Sequence, residues 1–392
     1  MTVMEYPMDL SNHQITITNL PEILTEIFPD WIKDKITVKP VSGGITNMLV
    51  KCVHNQKDIV LARSYGNNTN LIIDRVNEFN NHLMLNKLDL APKIYAKLSN
   101  GIIYGYLSGR SLTSEELSKD YLFPLISQKL GYWHTMISKE SSKLENDLWK
   151  TIDDWIKIAP NFDDMEQVVR ENVNGYSSVK ESLRQELCWL KENLNGKSKL
   201  VKSHCDLLSG NIVIPPKMDK ILQHNEETNS KKNLISQCFS PESLFLNSEV
   251  YNVSLPKPCE NPIFFIDYEY MLCAPRGYDI ANHLAEWQGF DCDKSRILQP
   301  KRSNHELRRW CFAYIVGMGD YNESAIEKQI DGLIDEIYFY FGVPAFYWGI
   351  WSAIQNEIST IDFDYGNYGV NRLQEYFEWK KQLVEKLKNC SE

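Results

Sequence analysis

Residues 1–35 form a lead segment with helix-like spacing of apolar positions around 20–35. From Ile36 the period drops to two. Residues 36–41 alternate and are β-branched, Ser42-Gly43-Gly44 interrupts them, and residues 48–53 resume the alternation. A polar run over 54–58 leads into Ile59-Val60-Leu61-Ala62-Arg63. The pattern predicts strand, glycine turn, strand, turn, strand. Residues 70–88 predict a helix with Leu71, Val76, Phe79, Leu83 and Leu85 on its apolar side. Two short strands, 93–98 and 101–107, precede a connector at Ser108-Gly109-Arg110. The expected first unit, 1–107, is thus a small β-rich lobe with a leading segment.

The remainder, 108–392, predicts a mainly helical unit. Residues 122–138, 154–158, 178–193 and much of 303–392 carry helical spacing. Two strand-like apolar runs stand apart, Ile212-Val213-Ile214 and Ile263-Phe264-Phe265-Ile266. Between them, 215–262 is rich in Asn, Ser, Lys and Glu. We read it as a polar insertion joining two strands of one hairpin, with little to bury. No internal repeat is evident.

Composition narrows the function classes. The net charge is −10 with both signs mixed along 392 residues, which argues against nucleic acid as a partner, since phosphate backbones require a basic face. Nine cysteines are scattered without CxxC spacing, so neither a disulfide framework nor a structural zinc site is expected. No apolar run is long enough to span a bilayer and no signal segment opens the chain. The expectation is a soluble cytoplasmic protein without an integral membrane segment.

The candidate chemistry lies in three segments. His204-Cys205-Asp206-Leu207-Leu208-Ser209-Gly210-Asn211 has the skeleton HxDxxxxN. This is the spacing at which one carboxylate can take a substrate hydroxyl proton while an amide oxygen reaches a phosphate-bound magnesium. Phe264-Phe265-Ile266-Asp267-Tyr268-Glu269 is an apolar strand ending in two acids. Asp267 would bridge magnesium to the β- and γ-phosphates, and Glu269 could be a second metal ligand. Two solvated carboxylates at a strand exit would look the same. In Gly277-Tyr278-Asp279-Ile280-Ala281-Asn282-His283-Leu284-Ala285-Glu286-Trp287, helical spacing puts Asp279, Asn282, His283 and Glu286 on one side. Asp279 could cap its helix or hold the backbone of the HxD loop. Glu286 could be a surface charge or the anion that meets a substrate ammonium.

The N-terminal unit offers a second group of candidates. Ser42, Gly43, Gly44, Ile45, Thr46 and Asn47 join two strands, and glycines there let N–H groups approach phosphate. Arg63 would meet phosphate as a planar cation, with Glu78 as its ion-pair partner. Trp348 and Trp351 fall at i, i+3 on one helix face, followed by Phe363, Tyr365 and Tyr368. Such stripes build cores, and ring faces also attract ammonium groups.

Taken together, these segments resemble the choline/ethanolamine kinase family. The resemblance runs in family order from about residue 40 to 380 through Gly43 to Asn47, Leu61 to Gly66, Asp74-Arg75, Ala91-Pro92, His204 to Asn211, Ile266 to Tyr270, Arg276 to Trp287 and Trp348 to Tyr365. It implies an α+β, protein-kinase-like two-lobe fold with a nucleotide-binding N-terminal lobe and a catalytic, substrate-binding C-terminal lobe. The implied cofactors are ATP and Mg2+, and the implied substrate is a small amino alcohol. Asp206 would be the catalytic base, supported by His204 and Asp279. Asn211, Asp267 and Glu269 would hold metal. The 42–47 loop with Arg63 would meet phosphates, and the backbone of Gly105, Tyr106 and Leu107 the adenine. Tyr270, Glu286, Trp348 and Trp351 would surround the amine. A homodimer is among the assemblies this resemblance leaves open.

Cys205 departs from the family's usual Asn, and the 215–262 segment is longer than relatives lead one to expect. Leu207-Leu208, Gln355-Asn356, the stretch from Ser359 to Tyr365, and Gln288-Gly289-Phe290-Asp291 after Trp287 look like the ethanolamine branch. Asp291 is a candidate second acceptor for the ammonium. The expected reaction is phosphorylation of ethanolamine, with choline as the competing substrate and a catalytically silent nucleotide-binding module as a third reading.

Overall fold

Alternating burial in the N-terminal strands decides which side chains reach which face of the first sheet. Strands β1 (Met4–Tyr6), β2 (Ile36–Val41), β3 (Leu49–His54), β4 (Asp58–Ser64), β5 (Ile94–Leu98) and β6 (Gly101–Gly105) form one sheet in the order β1-β5-β6-β4-β3-β2. All neighbours are antiparallel except β1 with β5. Val50, Cys52, Val60 and Ala62 point to one face, where they join Leu20 and Leu24 of helix α1 (His13–Ile27). The two-residue period then turns Arg63 to the opposite face.

This structure is a computed structural model describing residues 3–10, 13–41, 49–66, 69–140, 144–227, 237–239, 244–289 and 291–389. The chain divides into two units, Met1–Ser108 and Gly109–Glu392. The glycine turn, Ser42 to Asn47, lies outside the described residues.

Two helical expectations in the first unit are corrected. Helix α1 begins earlier than expected and stops at Ile27, just ahead of Phe28-Pro29, because proline disfavours helical backbone in the residue before it. Helix α2 spans Arg75–Lys87, not 70–88, because the Asp74 side chain caps it by accepting from Val76 N and Asn77 N at 3.0 Å. Leu71 and Val76 are 58% and 70% exposed; Leu85 is buried as expected, and the buried face also carries Glu78, Asn81 and His82. The inner face is polar because Glu78 meets Arg63.

The second unit contains β7 (Arg110–Ser111) and helices α3 (Phe123–Glu140), α4 (Leu148–Ile158), α5 (Glu166–Asn172) and α6 (Val179–Leu194). These are followed by β8 (Leu200–Ser203), β9 (Ile212–Ile214), α7 (Pro216–Glu227), β10 (Leu244–Ser248), β11 (Val253–Pro256), β12 (Phe264–Phe265) and β13 (Leu272–Pro275). It ends with α8 (Arg276–Ala285), α9 (His305–Met318), α10 (Ile326–Tyr340), α11 (Val343–Ile358) and α12 (Tyr365–Asn389). Helices α3 and α9 pack closely, because a Cβ at Gly131 or Gly317 would collide with a backbone carbonyl of the facing helix. Strand β9 lies between β12 and β7, and β8 pairs with β13, all antiparallel.

The segment 215–262 does connect the paired strands β9 and β12. It is not a stretch with little to bury. In α7, Met218 and Leu222 are buried at i, i+4, and Asp219 accepts from Arg110 Nε at 2.6 Å. The β10–β11 hairpin buries Tyr251, Val253 and Leu255. Tyr251 stacks on Phe312 of α9 with ring centroids 4.3 Å apart, and Gln128 Nε2 donates to Pro256 O at 2.7 Å. Average polarity hid this, because a few apolar side chains at helical or alternating spacing suffice to anchor a segment.

Candidate active site

The loop after β8 is held from three directions. Strand β13 pairs with β8 and runs directly into α8, which brings that helix against the start of the loop. Asp279 accepts from His204 N at 3.0 Å and from Cys205 N at 2.8 Å. Asn282 Nδ2 donates to Cys205 O at 2.8 Å, and His283 Nδ1 donates to Leu207 O at 2.9 Å. One face of one helix thus satisfies successive backbone groups of the loop. Asp279 makes no capping hydrogen bond to its own helix.

Cys205 has φ of 64°, in the left-handed region that non-glycine residues rarely occupy. Hydrogen bonds to both its N–H and its carbonyl hold it there. Burial pushes the Asp279 carboxyl up, but the hydrogen bond from His134, that ring's charge and the Cys205 N–H hold it below the ordinary carboxylate range. His134 Nε2 donates to Asp279 Oδ2 at 2.7 Å, and the Tyr314 hydroxyl meets Nδ1 at 2.7 Å.

The third direction is β12. Ile266 N donates to Asn211 O at 2.9 Å, and His204 Nε2 donates to Ile266 O at 3.1 Å. Both ends of the loop are therefore stitched to the residue before Asp267. Asp267 itself has φ of 65°, a second strained position adjoining the loop. Asn211 Nδ2 donates to Asp206 O at 2.8 Å and to Asp206 Oδ2 at 3.0 Å. That fixes the amide so that its oxygen remains the acceptor atom.

Burial raises the Asp206 carboxyl well above the ordinary range, and the charges of Asp267, Glu286 and Glu269 push it further, against the Asn211 hydrogen bond. This gathering of acids around Asp206 suits a hard cation. Among the described residues no three His, Cys, Asp or Glu side chains converge as a metal cluster. Magnesium in phosphoryl-transfer sites takes one or two carboxylates and completes its shell with phosphates and water. The donor set of Asn211 and the acids around it fits that requirement.

An aromatic wall adjoins the acids. Trp348 and Trp351 of α11 meet edge to face at 5.3 Å, and Tyr270 meets Trp348 likewise at 5.4 Å. Trp351 Nε1 donates to the Tyr270 hydroxyl, and Trp348 Nε1 donates to Asn282 Oδ1, both at 2.8 Å. Asn282 therefore ties the wall to the loop carbonyl of Cys205. Burial raises the Tyr270 hydroxyl well above its usual range, with Glu269 and Asp206 adding to it, so it stays protonated. Glu286 follows α8 and is half-buried. Burial pushes its carboxyl up to about 7, with Arg372 opposing and Glu375 adding.

The second unit thus gathers Asp206, Asn211, Asp267, Glu269, Tyr270, Glu286, Trp348 and Trp351 around the loop, with His204 and Asp279 beneath it. Asp291 is a correction: it is exposed, and its carboxylate pairs with Arg296 at 3.2 Å. In the first unit Arg63 forms an ion pair with Glu78, which Arg75 also binds at 2.7 Å. Gly105 ends β6, and Tyr106 and Leu107 follow it, Tyr106 lying 4.3 Å under the Lys51 ammonium. Sequence reasoning missed His134, Trp155 and the linking role of Asn282. The signal for His134 was a single histidine inside an otherwise apolar stretch of α3. Trp155 lies tilted against Tyr347 with ring centroids 4.4 Å apart and meets Tyr270 edge to face at 6.3 Å, contacts no spacing reveals.

A loop-borne Asp and Asn beside an Asp just past a short strand, in a helical unit that follows a sheet unit, defines a phosphotransferase of the protein-kinase-like fold. Residues 38–377 match the model of the choline/ethanolamine kinase family, and the chain belongs to that family. It is 29% identical to human ethanolamine kinase 2 over 92% of this chain and 80% of that one. To mouse ethanolamine kinase 1 it is 27% identical over 92% and 89%. Among solved structures it resembles a Plasmodium vivax ethanolamine kinase, with TM-score 0.64 and 23% identity over 93% of this chain and 89% of that one. A Cryptosporidium parvum choline kinase gives TM-score 0.63 and 19% identity over 94% and 96%. These two likenesses concern the fold. No helix among the described residues is long and apolar enough to cross a membrane.

Proposed function

We propose that the protein transfers the γ-phosphoryl group of ATP to the hydroxyl of ethanolamine, giving phosphoethanolamine for the first step of phosphatidylethanolamine synthesis by the CDP-ethanolamine route. The observation that carries this is the tie through Asn282, which joins the loop bearing Asp206 to the Trp348 wall. An amino alcohol is short, so its hydroxyl and its ammonium need the base and the amine site in fixed relation.

In this reading Asp206 accepts the hydroxyl proton as the oxygen attacks. Asn211, Asp267 and Glu269 would hold magnesium, whose positive charge would offset that of the phosphates. Glu286 receives the ammonium, and Tyr270, Trp348 and Trp351 offer ring surface. Arg63 and the 42–47 loop meet the phosphates, and the backbone at Gly105, Tyr106 and Leu107 the adenine. The reading carries with it a cytoplasmic location, and a homodimer is checked by light scattering.

The second reading is choline. Perpendicular indoles at Trp348 and Trp351 also suit a quaternary ammonium. A coupled ADP-release assay with each alcohol decides between them. Turnover with neither would overturn the proposal.

A further inference from the structure

The dipeptide Asp74-Arg75 opens helix α2, and its two side chains have separate tasks. Asp74 caps the helix. The capped first turn sets Arg75 and Glu78 on one face at i, i+3. Arg75 Nη1 donates to Glu78 Oε2 at 2.7 Å. The other oxygen of that carboxylate, Oε1, pairs with Arg63 Nη2 of strand β4. Glu78 is 3% exposed and stands between two guanidiniums, turning one oxygen to each.

Arg75 is held from other sides as well. Its Nη2 donates to Thr69 Oγ1, and that hydroxyl donates to Gly66 O at 2.7 Å. Its guanidinium carbon lies 4.6 Å from the centroid of the Tyr65 ring. Thr69 is buried, and its carbonyl accepts from Ile73 N at 2.9 Å, so the turn that carries it is itself fixed. Arg75 is therefore a fixed cation that keeps Glu78 Oε2 in place. The geometry matters for Arg63. A carboxylate that faces a single guanidinium tends to close on it with two parallel N–H···O bonds, which take up one whole edge of the fork. Sharing Glu78 between two arginines turns its oxygens apart and disfavours that closure.

We infer that Arg75 is a positioning residue for Arg63: by holding Glu78 Oε2 it confines the Arg63–Glu78 pair to one oxygen, which steadies the Arg63 guanidinium and keeps the remainder of its fork for a phosphate of the nucleotide. This rests on the reading of Arg63 as a phosphate contact. Glu78 is then a shared anchor. With Arg75 in place it orients Arg63; without Arg75 it captures Arg63 and competes with the phosphate.

The test is equilibrium binding of a non-hydrolysable ATP analogue and of adenosine, by titration calorimetry with magnesium present, and a thermal melt on every variant. The analogue carries phosphates and adenosine does not, so comparing them isolates the phosphate contacts. Arg75→Gln weakens the analogue about tenfold, the scale of one charge-assisted hydrogen bond, and leaves adenosine nearly unchanged. Arg75→Lys, which keeps a cation beside Glu78, recovers part of the loss. Adding Glu78→Gln to Arg75→Gln restores analogue binding towards the wild type, because a neutral amide lacks the charge that captures Arg63. A purely structural Arg75 would lower the melting temperature and weaken both ligands alike, and the second change would add to the damage. Equal losses for analogue and adenosine in folded Arg75→Gln would overturn the inference, as would unchanged binding of both, or no recovery in the double variant. If Arg75→Gln does not fold, Thr69→Val loosens Arg75 from its other side, and unchanged analogue binding there overturns the inference alone. Full analogue binding in Arg63→Gln would overturn instead the reading of Arg63 on which this rests.

Discussion

Cys205, which precedes Asp206, and Asp267 itself are non-glycine residues with left-handed backbone. Such strain persists only where neighbours over-determine it, and here Asp279, Asn282 and the Ile266 backbone do so. The expected consequence is a base already placed before substrate arrives. Asp206→Asn should therefore keep its shape and its nucleotide binding while losing the proton acceptor, lowering kcat about 10²–10⁴-fold. Near-full kcat in that variant would remove the base assignment. Asp267→Ala should raise the magnesium requirement and abolish turnover, because Asp267 would be one of the residues that hold the metal. Superimposable magnesium titrations for variant and wild type would remove that role. At this scale the acids were readable in the sequence, since HxDxxxxN and a strand ending in Asp are local patterns. His134 was not, because its significance comes from Asp279, far away along the chain.

Helix α8 shows how an element turns three side chains into one function. Asp279, Asn282 and His283 fall at i, i+3 and i+4, so one face reaches three backbone positions of the loop. Helical spacing alone put them on one side; only the β8–β13 pairing determines that this side meets the loop. The segment 215–262 shows the opposite case. Its composition pointed to a polar insertion with little to bury, whereas its hairpin is docked on α3 and α9. Replacing 217–258 by a short Gly/Ser turn should thus impair folding rather than leave a merely shortened enzyme. A single change tests the packing more cleanly. Tyr251→Ala removes the stack on Phe312 and the hydroxyl contact with Glu327, at a cost of about 3–5 kcal/mol, as for other buried aromatic truncations. An unchanged denaturation midpoint would show that the hairpin only rests on the core. Active-site kinetics just below the melting range should change little, since Tyr251 touches none of the catalytic groups.

At the scale of the whole molecule, a chain of net charge −10 has little general attraction for ATP and a mild one for cationic alcohols. Discrimination between two such alcohols must therefore come from the site. Both ethanolamine and choline carry one positive charge, and both can lie against Tyr270, Trp348 and Trp351, so ring surface separates them weakly. Ethanolamine has three N–H donors and choline has none. With Asp291 turned to Arg296, Glu286 is, in the proposed reading, the acceptor that distinguishes them. A half-buried carboxylate that finds methyl groups instead of N–H donors stays without its hydrogen bond, and unpaired polar groups discriminate more strongly than a missing methylene. With one such acceptor we expect ethanolamine to be preferred by about tenfold in kcat/KM. The sign of the pH effect follows from the raised Glu286 carboxyl, near 7. Above that pH the acid is ionised and the preference is full; below it the acid takes a proton and ethanolamine loses its acceptor, so the ratio narrows. Choline loses only the attraction between charges. Measure both substrates at saturating ATP and magnesium on either side of neutrality. Equal values at alkaline pH, or choline ahead, would move the protein to the choline branch while leaving the phosphotransferase site as described.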